Sequence, residues 1–186
     1  DAVNLKGITP LHISCSDKSF EVVRMLVEAQ ASVSMVTKDS EAPIHWACAG
    51  GHKTVTAYLL ENGASANVAN KFAETPMHFA VQRGDMGMVE MLHEHGADVN
   101  AATRMNDTCL HLAITKSDKR MVAKLLGMGA TTNSRNAVND SVLHTACSIG
   151  EIGVVQLLVE NNTDVNARND DQETPLHWAS AAGHIT

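Results

Sequence analysis

A four-residue pattern recurs six times at a constant interval in this 186-residue chain. Its fullest form is Thr-Pro-Leu-His, called the tetrad below, and its copies begin at Thr9, Ala42, Thr75, Thr108, Ser141 and Thr174. Every interval is therefore 33 residues, without insertion or deletion. Because one repeat of this length cannot bury its own apolar face, the pattern predicts repeats that are stabilised by stacking on their neighbours.

Each repeat carries the signals of two short helices. A Thr or Ser followed by Pro is typical of a helix start, because the hydroxyl caps a free backbone N–H and Pro suits the first turn. In the third repeat the sequence predicts helices over 75–83 and 86–95, the second of which ends at Gly96. Asn162 and Gln30 take the place of this glycine in the fifth and first repeats, and we expect a strained or frayed end at Gln30.

The composition indicates what kind of core these helices form. Aromatic residues make up only 3% of the chain, although 44% of it is apolar. Small residues such as Ala80 and Ala113 recur on one face of the first helix, where they allow neighbouring helices to approach closely. The sequence therefore predicts a core that runs along the stack of repeats instead of one compact centre.

These residues resemble the ankyrin repeat, and the resemblance covers the whole chain. It rests on the tetrad, on the Gly-His pairs at 51–52 and 183–184, and on the run Gly-Ala-Asp-Val-Asn at 96–100. The resemblance implies an all-α solenoid of stacked helix–turn–helix units joined by short β-finger loops. It also implies that the tetrad histidine bonds the Thr hydroxyl and a neighbouring backbone carbonyl. The implied repeats are about 6–38, 39–71, 72–104, 105–137 and 138–170, with a partial repeat at 171–186.

Some repeats depart from the ankyrin pattern. Ala42 lacks the capping hydroxyl, Cys109 and Val142 replace Pro, and Lys18-Ser19 replaces Gly-His. We expect these repeats to be locally weaker, since the loss of one cap costs about 1 kcal/mol.

Charge and cysteine content restrict the partners and the compartment. Fourteen Lys and Arg against 21 Asp and Glu give a net charge of −7, which disfavours nucleic acid and anionic membranes as partners. The basic cluster Lys116, Lys119, Arg120 and Lys124 is interpreted as a solvated helix face. The four cysteines lack the spacing of a disulfide scaffold, so we expect a reducing location, either cytoplasmic or nuclear.

No group of residues in the sequence has the pattern of an active site or a metal site. Six of the ten histidines occupy the tetrad, where the ankyrin resemblance gives them a structural role. Pairs such as His12 and Cys15 have a spacing that zinc can use, but their cysteines fall on the packed face and four ligands do not converge. We expect no enzyme activity within this chain, no metal and no cofactor.

Three apolar residues are the main candidates for a binding surface. Phe72, Met105 and Val138 lie three positions before the tetrad in consecutive repeats, at the tips of the predicted fingers. Exposed neighbouring apolar residues mark contact surfaces in proteins. The alternative is that these residues cover one another within the fingers.

Acids and bases alternate around this apolar stripe. One position before the tetrad, five of six repeats carry Asp or Glu, and Lys71 and Arg104 lie three positions before Glu74 and Asp107. These charges either pair across their own turn or form an acidic ridge for a protein or peptide with apolar anchors and basic flanks. The full set of predicted partner-binding residues is Lys71, Phe72, Glu74, Gln82, Arg83, Arg104, Met105, Asp107, Thr115, Lys116, Val138, Asp140 and Ile149.

Two functions remain open from the sequence. The first is a monomeric, non-catalytic protein–protein interaction module, a scaffold or adaptor that binds a partner protein or peptide along its fingers and concave groove. The second is a targeting or regulatory arm of a larger enzyme or channel, whose catalytic or pore domain lies outside this chain. The chain stops shortly after the Gly-His of its sixth repeat, so we expect it to be a piece of a longer protein.

Asn100 and Asn166 are candidates for modification. They resemble the sites used by the asparaginyl hydroxylase that acts on ankyrin repeats. The alternative is a finger asparagine whose amide hydrogen-bonds its own turn.

Overall fold

A computed structural model describes residues 1–17 and 19–184. This part of the chain contains eleven α-helices and no strand. The helices are α1 (Pro10–Ser16), α2 (Phe20–Glu28), α3 (Pro43–Gly50), α4 (Lys53–Glu61), α5 (Pro76–Arg83), α6 (Met86–Glu94), α7 (Cys109–Thr115), α8 (Lys119–Gly127), α9 (Val142–Ile149), α10 (Ile152–Glu160) and α11 (Pro175–Ala181). The predicted helices of the third repeat are confirmed to within one residue at each end. The expectation for Lys18, and the end of the partial repeat at 185–186, lie outside the described residues.

The chain divides into two compact units, Asp1–Asp98 and Val99–Thr186, called the N-terminal and C-terminal units. In the N-terminal unit the first helices of the repeats stack in chain order, α1 on α3 and α3 on α5. In the C-terminal unit α7 packs on α9 and α9 packs on α11. Each of these two units is therefore a stack of repeats.

The core lies between stacked first helices and beneath the second helices. Leu11, Ile44 and Met77 are fully buried at the same position of successive repeats in the N-terminal unit, and Leu110 and Leu143 are buried at this position in the C-terminal unit. Small residues, among them Ala47, Ala80, Ala113 and Ala146, are buried on the same helices. This arrangement agrees with the predicted core of small residues, because only small side chains let helices of seven or eight residues approach closely along their length.

Tetrad residues start the first helices as predicted. Thr9 is extended, and its backbone N–H and hydroxyl both lie within hydrogen-bond distance of His12 Nδ1, at 3.2 and 2.8 Å. The opposite ring nitrogen lies 2.9 Å from the carbonyl oxygen of Glu41 in the next repeat. His144 repeats this arrangement with Ser141 and with the carbonyl of Glu173. The role that the ankyrin resemblance implies for this histidine is therefore observed in both units.

The second helices end in left-handed backbone where the sequence predicted it. Gly96 has a φ of +78°, and Gln30 and Asn162 reach +65° and +58° at the same position. Gln30 pays a steric penalty that glycine avoids, in agreement with the expected strain. The fingers contain no strand in the described residues, and the C-terminal unit has isolated bridges from Ala102 to Thr108 and from Arg135 to Ser141.

Candidate protein-binding surface

A tight turn places Phe72 at the tip of its finger. The Asn70 side-chain oxygen accepts hydrogen bonds from the backbone N–H groups of Phe72 and Glu74, at 2.9 and 3.0 Å. Ala73 completes the turn with a φ of +61°, and its N–H donates to the Asn70 carbonyl. These bonds satisfy the backbone and leave the Phe72 side chain 54% exposed. A left-handed residue after the tip was not anticipated from the sequence, because alanine is a poor predictor of positive φ.

The C-terminal unit builds the same turn twice. Met105 and Val138 are held by Thr103 Oγ1 and Asn136 Oδ1, which accept from their backbone N–H groups. The N–H of Ala137 donates to the Met105 carbonyl at 2.8 Å, so the two fingers are in direct contact. Even so, Met105 is 65% exposed and Val138 is 57% exposed. The alternative that these side chains cover each other therefore does not hold within this unit.

The basic residue beside Phe72 pairs with the preceding finger instead of with its own turn. Lys71 Nζ lies 2.8 Å from Asp39 Oδ1 and 4.9 Å from the centroid of the Phe72 ring. Glu74 accepts a bond from Asn70 Nδ2 at 2.9 Å. The pairing of Lys71 with Glu74 across one turn is thus wrong, because the stack brings a carboxylate from 32 residues earlier closer to the ammonium group.

The acids of the C-terminal unit differ from one another. Asp140 is only 5% exposed, and its Oδ1 accepts from Asn169 Nδ2 at 2.9 Å. It therefore fastens one finger to the next and does not belong to an exposed acidic ridge, contrary to expectation. Asp107 is half-buried and Arg104 is exposed, and the described residues include no ion pair between them.

The predicted residues on the first helices lie near the helix ends. Gln82 and Arg83 are exposed at the end of α5, and Arg83 Nη1 donates to the Ala49 carbonyl at 2.9 Å. In the C-terminal unit Thr115 and Lys116 are exposed, whereas Ile149 is half-buried. These residues belong to the ends of the first helices, whereas the finger-tip residues belong to the turns described above.

The buried titratable groups are poorly suited to catalysis. Burial raises the pKa of the Cys15 and Cys48 thiols to about 12, so neither supplies a thiolate near neutral pH. Burial also lowers the pKa of His12, His45 and His111. Within residues 1–17 and 19–184, no three His, Cys, Asp or Glu side chains come together as a metal site. None of the described helices combines the length and the apolar run needed to cross a bilayer.

The finger asparagines act between repeats. Asn100 Nδ2 donates to the Gly129 carbonyl at 3.1 Å, and its Oδ1 accepts from the Thr131 N–H at 2.8 Å. Asn67 makes the equivalent pair of bonds in the N-terminal unit, to Gly96 and Asp98. The expected bond to its own turn is therefore replaced by a bridge to the following repeat. Whether Asn100 and Asn166 are hydroxylated stays a prediction.

Aromatic residues directly after the tetrad form a feature that the sequence reasoning missed. Trp46 and Phe79 are half-buried and line a pocket together with Glu41, Ser16 and other residues of the N-terminal unit. In the C-terminal unit Trp178 donates to Glu173 Oε2 at 2.7 Å. The signal was present in the sequence, since bulky residues follow the histidine of the tetrad in several repeats.

Stacked helix pairs, histidine bridges and projecting finger tips define a helical repeat protein. Family models agree with this assignment: ankyrin repeats in many copies match residues 11–60, 44–93 and 86–126, and ankyrin repeats in three copies match 116–186. The chain belongs to the ankyrin-repeat family and has an all-α solenoid fold.

One solved structure supports the same conclusion. The ankyrin repeat domain of Bcl-3, described as a unique member of the IkappaB protein family, matches with a TM-score of 0.88 at 30% identity. The alignment covers 96% of this chain and 81% of that chain. The search of curated proteins gives no match. Ankyrin repeats are in general protein–protein interaction modules, and ankyrin domains are typically non-catalytic.

Proposed function

We propose that this chain is a scaffold or adaptor module, cytoplasmic or nuclear, that binds another protein or peptide through its finger tips. The observation that carries the proposal is the exposure of Met105 and Val138, 65% and 57%, on two fingers that contact each other. Apolar side chains held outward by satisfied turns are available for burial by a partner, which stabilises a complex by about 1.5–3 kcal/mol for each large side chain. Phe72 presents the same chemistry in the N-terminal unit.

The charges near these tips favour a partner with apolar anchors and basic flanks. Glu74 and Asp107 are half-exposed beside Phe72 and Met105, and the chain as a whole carries a net charge of −7. Exposed charges at the edge of an interface mainly affect the association rate and its salt dependence. The apolar tips are therefore expected to determine affinity.

The experiment uses peptides selected from a random peptide display library on the immobilised chain, with affinity measured by calorimetry. We expect Phe72→Ala or Met105→Ala to lower the affinity for the selected peptides roughly tenfold, since a loss of about 1.4 kcal/mol in binding free energy corresponds to a factor of ten. Matched controls are Met25→Ala and Ile152→Ala, whose side chains are 64% and 67% exposed on helices away from the fingers. Unchanged affinity in both finger variants, with the fold intact, places the site elsewhere and overturns the proposal.

The charge contribution is tested with Glu74→Gln, because a glutamine oxygen can still accept the bond from Asn70. We expect a smaller loss of affinity than for Phe72→Ala, and one that fades between low and high salt as charges are screened. A loss that is independent of salt contradicts an electrostatic role for Glu74.

A further inference from the structure

The pocket beside Trp46 lies entirely within the N-terminal unit. It has a volume of about 300 Å³, and Glu41, Trp46 and Phe79 are among the residues that line it. Trp46 belongs to α3 and Phe79 to α5, which pack on each other. The volume is at the lower end of the range for small ligand sites, about 300–1,000 Å³, and is suited to a single side chain.

A carboxylate is held in place at this pocket. Trp46 Nε1 donates to Glu41 Oε2 at 2.9 Å, and both side chains are half-buried. In contrast to Asp39 and Asp85, which pair with Lys71 and Lys53, Glu41 has no Lys or Arg partner in the part of the chain that the structure describes. Within residues 1–17 and 19–184, its negative charge is thus not paired with a Lys or Arg side chain.

The aromatic walls are fixed by neutral histidines. The Trp46 and His12 rings meet edge to face, with 5.6 Å between their centroids. Phe79 and His45 meet in the same way, with 5.7 Å between their centroids. Burial lowers the pKa of both imidazoles, so they are uncharged near pH 7 and do not repel a cation. Aromatic faces attract Lys and Arg through the negative face of the ring, Trp most strongly.

A cation of the chain itself lies at the other end of α3. Arg83 donates to the carbonyl of Ala49, near the C-terminal end of this helix. A rise of 1.5 Å per residue separates Ala49 from the start of α3 by roughly 10 Å. The Glu41 end of the pocket is therefore separated along the helix from this guanidinium, which does not itself line the pocket.

We infer that the Glu41 end of this pocket binds a lysine or arginine side chain of a partner peptide. The cation lies against the Trp46 and Phe79 rings and pairs with Glu41, whose position is set by the indole N–H. This inference rests on the proposed function, because it assigns a location to the basic flank of the same partner.

The test uses two blocked tripeptides, acetyl-Gly-Arg-Gly amide and its citrulline analogue, which has nearly the same shape and no charge. The readout is the indole N–H resonance of Trp46 in 15N-labelled protein, assigned with Trp178→Phe. We expect the arginine peptide to shift this resonance with at least about threefold higher affinity than the citrulline peptide, the factor given by a cation–π and ion-pair contribution near the exposed limit.

Glu41→Gln isolates the charge, because the amide oxygen still accepts the indole bond. We expect this variant to reduce arginine binding by roughly twofold, since it removes the ion pair and keeps the aromatic contacts, and to leave citrulline binding unchanged. Glu173→Gln is the matched control, since Glu173 and Trp178 form the same bonded pair in the C-terminal unit. Equal affinities for the two peptides, or full arginine affinity in Glu41→Gln, overturns the inference.

Phe72→Ala and Met105→Ala separate this inference from the proposed function. If they weaken display-selected peptides while arginine does not shift Trp46, the finger-tip site stands and the pocket inference fails. If arginine binds the pocket while both variants keep full peptide affinity, the pocket stands and the finger-tip proposal fails.

Discussion

The tetrad histidines His12, His45 and His144 each join their repeat to the next one through the imidazole ring. His45 Nδ1 accepts a hydrogen bond from the backbone N–H of Ala42 at 2.9 Å, and its Nε2 lies 3.2 Å from the Glu74 carbonyl oxygen. With Nδ1 accepting, the proton of the neutral ring is on Nε2, where it donates to the carbonyl. A second proton on the ring has no acceptor at Nδ1, so these bonds require the uncharged imidazole.

Stability is expected to decrease as the pH falls below about 6.5. Burial lowers the pKa of His12, His45 and His111 from 6.5 in the folded state, so the unfolded chain takes up protons first. The contribution of these rings is therefore complete above 6.5 and is lost as the pH falls towards their folded values. Carboxylates titrate near pH 4, below this window.

Urea unfolding at pH 7.5 and pH 5.5 measures this effect, with a lower midpoint expected at pH 5.5. A His93→Gln variant serves as the control because the His93 side chain is exposed, and it should show the same decrease. A midpoint that is equal at the two pH values is inconsistent with buried neutral histidines.

The bridging asparagines provide a second residue-scale prediction. Asn100 bonds two backbone groups of the next repeat, whereas the only hydrogen bond described for Asn166 is from its backbone N–H to Asp164. Asn100→Ala should lower the free energy of unfolding by about 1–2 kcal/mol, since it removes two hydrogen bonds. Asn166→Ala should cost less than about 0.5 kcal/mol. Equal losses for the two variants in denaturant unfolding contradict the bridging role.

At the scale of the element, α3 lacks one half of its N-terminal cap. Ala42 has the same extended backbone as Thr9, with φ near −90° in both, but it has no hydroxyl to accept a helix N–H as Thr9 does from His12. Both positions are almost fully buried. The residue therefore weakens the helix start without altering its conformation.

Ala42→Thr is expected to stabilise the chain and Thr9→Ala to destabilise it, each by about 1 kcal/mol, the typical contribution of a capping hydroxyl. The reciprocal pair controls for position, because the two sites are equivalent in neighbouring repeats. Thermal and urea unfolding measure both variants. Destabilisation by Ala42→Thr means that the buried site has no room for the extra atoms and counts against the capping argument.

At the scale of the molecule, the repeats at either end of the chain bury less of their apolar surface. Val22 of α2 is 46% exposed, although its counterpart Val55 is 2% exposed. In the C-terminal unit Leu176 of α11 is 66% exposed, whereas its counterpart Leu143 is 3% exposed. Among the described residues, these repeats contact a neighbouring repeat on one side only, and such a repeat has fewer stabilising contacts.

Native-state hydrogen exchange should therefore show uneven protection within each unit. Amides of α1 and α2 should exchange before those of α3 in the N-terminal unit, and amides of α11 should exchange before those of α7 and α9 in the C-terminal unit. The strained end at Gln30 acts in the same direction. Highest protection in α2 refutes this expectation.

Sequence alone was sufficient to identify the fold of this protein. The 33-residue period, the capping residues of the tetrad and the left-handed ends at Gly96, Gln30 and Asn162 are local signals, and six copies in register reinforce one another. The exposure of Phe72, Met105 and Val138 was also predictable, because apolar residues occupied positions where the repeat does not need them. These conclusions depend on backbone preferences within a few residues, which a sequence states directly.

The partners of the charged and aromatic side chains were decided only by the tertiary structure. Lys71 pairs with Asp39 and Asp140 accepts from Asn169, contacts that span 32 and 29 residues. Trp46 and Phe79 form one pocket for the same reason, since stacking places successive repeats side by side. Which partner a side chain finds in a neighbouring repeat depends on its rotamer and on which polar group lies nearest to it once the repeats are stacked. Such distances exist only in the folded chain, so a pattern read along one repeat cannot give them.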